Sequence, residues 1–262
     1  MRVSHNRASA AYPGACLRCY SYNRRMVGYV FGGVVGAVAS AAGYQTMSPK
    51  GQWYGRSLVG LPGGSRKLAL TFDDGPNDPY TLRLLEVLRR HDVPATFFLI
   101  GRYVTKRPDI VRELINLGHA IGNHTFSHPN LIFASAGQTR RELEQCQQAL
   151  ADAVGVQCSL FRPPFGGRRP GTFRVARQLG LEPVMWRVTG WDWKAKGEDY
   201  IERKVCQQVR GGDVILLHDG GPNAFGADRS QTVTATDRLI ARYKSQGYEF
   251  VTVAQMFQPA SG

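Results

Sequence analysis

Residues 67–76 read KLALTFDDGP: an apolar, strand-like run that stops on two acids and a Gly-Pro turn signal. Directly after it, Thr81–Arg90 places Leu82, Leu85 and Leu88 at helical spacing among charges. Ala95–Ile100 is again short and apolar, with two phenylalanines. Strand, helix and strand in quick succession form the repeating unit of a parallel sheet. The alternation continues to the end of the chain. Ile110–Leu117, Gln138–Val154, Thr172–Gln178, Tyr200–Val209 and Thr232–Lys244 read as helices. His119–His124, Ser159–Phe161, Val184–Val188, Val214–Leu217 and Phe250–Val253 read as strands between them. Such alternation over about 190 residues predicts an α/β parallel sheet or barrel, and seven or eight strand candidates favour the barrel.

In a barrel of this kind the chemistry collects at the C-terminal ends of the strands. Polar residues sit at those ends. Asp73 and Asp74 close the first strand, His124 and His128 follow the third, and Arg162 follows the next. Asp192 lies beyond Val184–Val188, and His218 and Asp219 end Val214–Leu217. A single titratable group at a strand end is an ordinary cap or turn residue. So many converging on one rim call for a site.

His124-Thr125-Phe126-Ser127-His128 sets two imidazoles four residues apart, a spacing that shares one face of a helical turn and suits two ligands of one metal ion. Alone the pattern is only moderately specific. A carboxylate added to two histidines leaves a coordination position open for water, as a catalytic zinc site requires. Asp73-Asp74-Gly75-Pro76 reads equally as a turn. A turn does not need two adjacent acids, however, and two carboxylates can divide the work of binding metal and taking a proton.

Five motifs occur in order: Thr71-Phe72-Asp73-Asp74-Gly75, His124-x-x-x-His128, Arg162-Pro163-Pro164-Phe165-Gly166, Asp192-Trp193 and Leu216-x-His218. Together they closely resemble the NodB-type polysaccharide deacetylases, carbohydrate esterase family four, from about Lys67 to Val253. The resemblance implies a distorted (β/α) barrel with about seven strands, fewer than the standard eight. It implies that Asp74, His124 and His128 bind one divalent ion, zinc first, with cobalt or another as alternatives. It makes Asp73 the general base toward a water that the ion activates, and His218 the general acid toward the leaving amine. Arg162 would orient Asp73, and Asp192 would hold His218 in its charged form. Trp193 and Leu216 would line the acetyl pocket, and the backbone N–H of Phe165 would help hold the oxyanion. Two positions depart from the family pattern: Phe165 stands where tyrosine is usual, and Thr189 where an acid is common. The first leaves a backbone donor untouched. The second puts sugar recognition or local orientation in doubt, not the metal site.

Other side chains carry less. His119 reads as a packing or capping residue behind the site, and His91 as a cation at a helix end. Trp186, Trp191 and Trp193 suit a wall on which a sugar stacks, although for Trp186, on a strand, the core reading comes first. Among five cysteines, Cys16 and Cys19 form a lone C-x-x-C, and Cys146, Cys158 and Cys206 read as buried small side chains.

The net charge is +13, and residues 1–25 hold five arginines and no acid, which leaves +8 for the rest. Charge of this kind favours anionic surfaces in general. No basic run with interleaved aromatics and no zinc-finger pattern occurs, so nucleic acid is not expected as a partner, and no protein partner is evident. After the basic tail of residues 1–25, residues 26–43 form an uncharged apolar stretch with two A-x-A sites, at Ala37–Ala39 and Ala39–Ala41. They read as a cleaved signal peptide or a membrane anchor. Either reading puts Lys50 onward outside the cytoplasm: secreted, periplasmic or anchored. Residues 44–65 read as a linker and 66–258 as the deacetylase domain. The expected activity is removal of N-acetyl groups from the amino sugars of an exported glycan, peptidoglycan or a chitin-type oligomer. Three rivals are an amidohydrolase for a small amide or a different glycan, a glycan-binding module without activity, and a membrane-anchored scaffold, which the short stretch of residues 44–65 between anchor and barrel argues against. The second would have lost Asp73, a metal ligand or His218, and none is lost.

Overall fold

The computed structural model describes residues 17–194 and 196–258. The chain divides into two compact units, residues 1–43 and 44–262. The first is carried by helix α1 (Leu17–Met47), along which Val27, Tyr29, Val30 and Phe31 are exposed. No helix among the described residues is long and apolar enough to cross a membrane. Most of the basic tail, with Arg2, Arg7, His5 and Cys16, lies outside the described residues.

The second unit is built on β1 (Lys67–Gly75), β2 (Thr96–Leu99), β3 (Ala120–Asn123), β4 (Leu160–Phe161), β5 (Glu182–Pro183), β6 (Val188–Thr189) and β7 (Asp213–His218). All pair in parallel in the order β5-β4-β3-β2-β1-β7-β6, and β8 (Glu249–Phe250) adds to β1. Helices α2 (Tyr80–His91), α3 (Gly101–Val104), α4 (Pro108–Asn116), α5 (Ala136–Val154), α6 (Thr172–Gln178), α7 (Glu198–Gln208), α8 (Ser230–Ser245) and α9 (Val253–Phe257) connect them. The expected distorted barrel of about seven strands is therefore what the chain adopts. The sheet curls without pairing β5 to β6, and isolated bridges from Leu58 to Val184 and from Gly60 to Asp213 span that gap. Residues 58–61, within the stretch expected as a linker, are thus bonded into the edge of the domain.

The alternation of a β-strand divides each strand between two faces. Leu68, Leu70 and Phe72 of β1, Phe97 and Leu99 of β2, and Ile215 and Leu217 of β7 point outward into the main core beneath the helices. Ala69, Phe98, Leu160 and Val214 point inward into a smaller core with Val251 and Val253. The same inward parity continued toward the C-terminal ends brings Thr71 and Asp73 together with Leu216 and His218. Two strand expectations change. Val184–Val188 is not one strand: β5 ends before it and β6 begins at its last residue, because the Val184 and Met185 carbonyls turn to accept from the Arg162 guanidinium. Phe250–Val253 is strand only at Phe250, since Thr252 caps α9 through a reciprocal box with Gln255.

Candidate active site

Asp73 and Asp74 are neighbours, so a regular strand would send one of them away from the pocket. The register of β1 against β2 shifts between Asp73 and Gly75, and Asp74 takes φ 75°. That bulge turns the second carboxylate back beside the first. The expected helical turn at His124–His128 does not form. The segment is a loop after β3, and Thr125 (φ 67°) and His128 (φ 62°) bend it so that the two rings meet at 4.9 Å between centroids. Glu142 holds this loop from α5, accepting from the Phe126 and Ser127 amides at 3.0 and 2.8 Å.

Asp74 Oδ1 lies 3.5 Å from His124 Nε2 and 3.1 Å from His128 Nε2. All three residues are buried, and their ligand atoms lie within 4.8 Å of one another. His124 Nδ1 donates to the Arg162 carbonyl at 2.8 Å, which leaves Nε2 with its lone pair toward Asp74. Asp74 Oδ1 is buried without a hydrogen-bond donor of good geometry. Burial would raise the Asp74 pKa, but the two imidazoles and the His218 charge hold it well below the usual carboxylate range. Burial lowers the His128 pKa, favouring the neutral ring that a ligand needs. One carboxylate with an orphaned oxygen and two imidazoles whose Nε2 atoms converge on it fit a divalent cation.

Around this triad stand two charged pairs. Arg162, fully buried after β4, donates from Nη1 to Asp73 Oδ1 at 2.7 Å and to Thr71 Oγ1 at 2.8 Å. Its guanidinium lies over the Phe98 ring at 4.1 Å. Burial works against its charge and the Asp73 carboxylate restores part of it. On the other side Asp192, also buried, accepts from His218 Nδ1 at 2.8 Å, from the His218 amide at 2.7 Å and from Thr232 Oγ1 at 2.9 Å. Burial alone would discharge His218, but the Asp192 carboxylate outweighs it and the imidazole is pushed up to about 9.

A cavity of about 300 Å³ joins the two sides, and Asp73, Asp74, His124, His128 and His218 all line it. Phe165 and Trp193 form its exposed lips and Leu216 its buried wall. Phe165 has φ 59°, and its amide makes no backbone hydrogen bond. Trp193 sits edge-on to His218 at 5.1 Å and beside Trp191 at 5.2 Å. All ten expected site residues therefore meet at one rim, with Asp192 and Arg162 behind the residues they bond. Trp186, expected first as core, packs against the core and also reaches the cavity, where the alternative of a sugar-stacking wall places it. Arg229 and Pro222 line it as well and were not anticipated. Thr189 does not reach it: its amide and carbonyl bond the Gln208 side chain. His119 accepts from the Ala95 amide behind the site, and burial lowers its pKa to about 4. His91 faces Asp237 rather than its neighbour Asp92.

Residues 61–184 match the family model for polysaccharide deacetylase. A peptidoglycan-N-acetylglucosamine deacetylase of Bacillus cereus is 36% identical over 203 residues, which cover 76% of this chain and 91% of that protein. The chain belongs to the polysaccharide deacetylase family. A chitooligosaccharide deacetylase of Sinorhizobium fredii is 37% identical over 191 residues, 71% of this chain and 89% of that one. Among solved structures, a peptidoglycan N-acetylglucosamine deacetylase in complex with an N-hydroxybenzamide compound superimposes with a TM-score of 0.72 at 35% identity. The match covers 78% of this chain and 93% of that chain. The fold and the order of the motifs thus agree with the membership, and the chain is a deacetylase of the hydrolase class.

Proposed function

We propose that this deacetylase removes N-acetyl groups from the amino sugars of a glycan outside the cytoplasm, peptidoglycan or a chitin-type oligomer, with Asp73 as base and His218 as acid. One observation carries the reading. Asp73, held by Arg162, and His218, held by Asp192, face each other across the cavity that Asp74, His124 and His128 also line. An amide needs its carbonyl polarised, its attacking water deprotonated and its amine protonated on leaving. A divalent ion held by Asp74, His124 and His128, zinc in our reading, would supply the Lewis acid for the first of these. Arg162 fixes Asp73 Oδ1 at 2.7 Å and leaves Oδ2 to take the proton. His218 keeps its proton at neutral pH because of Asp192, and delivers it from Nε2 to the leaving nitrogen. The unengaged Phe165 amide suits a developing oxyanion, a contribution on the order of 3 kcal/mol for one well-placed donor. Leu216 and Trp193 enclose the acetyl methyl.

An extracytoplasmic place rests on residues 26–43 acting as a cleaved signal or an anchor. It also agrees with the wall polymer named in the Bacillus cereus relative. The test is acetate release by the purified chain, stripped of metal and reloaded with zinc, from chitooligosaccharides and from peptidoglycan. Zinc-dependent release, lost in Asp73→Asn and His218→Ala, is the expected result. Tight zinc binding with no acetate from either polymer would overturn the glycan assignment.

A further inference from the structure

We propose that Arg229 makes the pocket selective for an amino-sugar unit that carries a carboxylate near its acetamido group, over a neutral one; this rests on the deacetylase reading above. Arg229 lines the catalytic cavity at the start of α8. Its Nε donates to the Gly220 carbonyl at 2.7 Å and its Nη1 to the Asp228 carbonyl at 3.1 Å. Both partners are neutral, so the guanidinium is fixed in place but its charge is not met. Gly220 lies so close to the metal-ligand strand that a Cβ there would fall 2.1 Å from the Asp74 carbonyl oxygen. The anchor of Arg229 is therefore next to the reacting centre.

No acid within the pocket or beside it forms an ion pair with this cation among the described residues; Asp219, next to the Gly220 anchor, accepts from the Thr81 hydroxyl instead. Asp73 is bonded to Arg162 and Asp74 to the imidazoles. Asp228, the next residue, lies close enough to feel the Arg229 charge, but its carboxylate accepts from the Ser230 amide at 2.8 Å and bonds the Tyr80 hydroxyl. Elsewhere Arg107, Arg177, Arg187, Arg238 and Arg242 each face an acid of the chain itself. The charge on this flank is reinforced rather than cancelled. Arg102 donates to the carbonyl of Pro222, another cavity residue, and Lys106 lies over the Phe225 ring at 5.4 Å. Arg229 on the pocket wall, with Arg102 and Lys106 near its Pro222 flank and none of the three in an ion pair among the described residues, raises the local concentration of anionic substrate. An arginine with fixed orientation and one unused N–H edge suits a carboxylate in particular.

The experiment compares kcat/KM for acetate release from three substrates. One is a neutral chitooligosaccharide, one is peptide-free peptidoglycan strands bearing free lactyl carboxylates, and one is intact peptidoglycan, whose carboxylates sit on the peptides. The wild-type chain should prefer an acidic substrate, and whichever of the two it prefers identifies the source of the carboxylate. Arg229→Gln removes the charge while keeping a hydrogen-bond donor. It should lower the ratio of kcat/KM, acidic over neutral, by about tenfold, the size expected of one hydrogen bond to a charged group. Raising the salt from low to physiological levels should lower the same ratio in the wild-type chain, a readout that needs no variant. A ratio unchanged both by Arg229→Gln and by salt, with acetate still released, would overturn this proposal alone. No acetate from any of the three substrates would overturn the deacetylase reading together with it.

Discussion

His218 and Asp192 show how one carboxylate sets the working range of an acid. As the proposed general acid, His218 must hold its proton, so activity should be present below its pKa and be lost as pH rises through it. The buried Asp192 carboxylate places that loss at about pH 9. A dication across the cavity repels the imidazolium, so the descending limb of the loaded enzyme lies at or below this value. Asp192→Asn keeps the shape and removes the charge. The limb should then move down by more than one unit, with kcat lower by roughly 10²–10⁴. A pH profile of kcat/KM checks the first statement, and an unmoved limb would mean that Asp192 does not hold the proton on His218. Arg162 illustrates a different constraint. Its four acceptors, Thr71 Oγ1, Asp73 Oδ1 and the carbonyls of Val184 and Met185, match a planar fork and no other side chain. Arg162→Lys keeps the charge but strands several of them. It should cost about 2 kcal/mol of stability in a denaturant titration, besides misplacing Asp73.

The elements were legible in the sequence to the degree that they are long. The six helices of the second unit with seven residues or more follow from apolar spacing, and α6 matches its expected bounds at both ends. Strands β1 and β7, buried along nearly their whole length, read as continuous apolar runs. Strands β4, β5, β6 and β8 are two residues each, too short for any period to register, and their pairing depends on neighbours far along the chain. The site shows the same division. Which residues converge was readable from strand ends. How they converge was not, because the bulge at Asp74 and the left-handed turns at Thr125 and His128 depend on tertiary contacts, Glu142 among them. The stretch before β1 is a further case. Composition marks it as a linker, yet Arg168 ties it to the loop that carries Phe165 and Gly166. That buried guanidinium donates to the carbonyls of Ser48 (2.6 Å), Gly51 (2.8 Å) and Gly166 (3.0 Å). Gly166 follows Phe165, and its own positive φ leaves no room for a side chain, since a Cβ would lie 2.8 Å from the Trp186 ring. Arg168→Ala should therefore destabilise by about 2 kcal/mol and raise KM through the loosened loop, with Arg168→Lys restoring part of both. A melting curve and steady-state kinetics on the same preparations decide it. Normal values for both would mean that the strap does not support the loop.

At the scale of the molecule, the proposed ligand set joins separate parts of the barrel. Asp74 comes from the end of β1, while His124 and His128 come from the loop after β3, which α5 holds through Glu142. A cation bound by all three bonds these parts in the folded state and has no comparable site in the unfolded chain, so its binding free energy adds to folding. Saturation at a hundredfold excess over Kd adds about 2.7 kcal/mol. For a domain of this size each kcal/mol raises Tm by about 2–4 °C, so zinc added to the chelator-treated chain should raise Tm by roughly 5–10 °C. The rise should grow with the logarithm of zinc concentration once the site is filled, which separates linkage from a nonspecific salt effect. His128→Ala, which removes one ligand and leaves the barrel core untouched, should abolish most of it. Without metal, His128→Ala should lose little, because that ring is bonded chiefly to the other ligands rather than to the core. The difference between the two conditions therefore reports metal binding independently of catalysis. An equal loss of Tm with and without zinc would make His128 a packing residue and leave the cation without its third ligand.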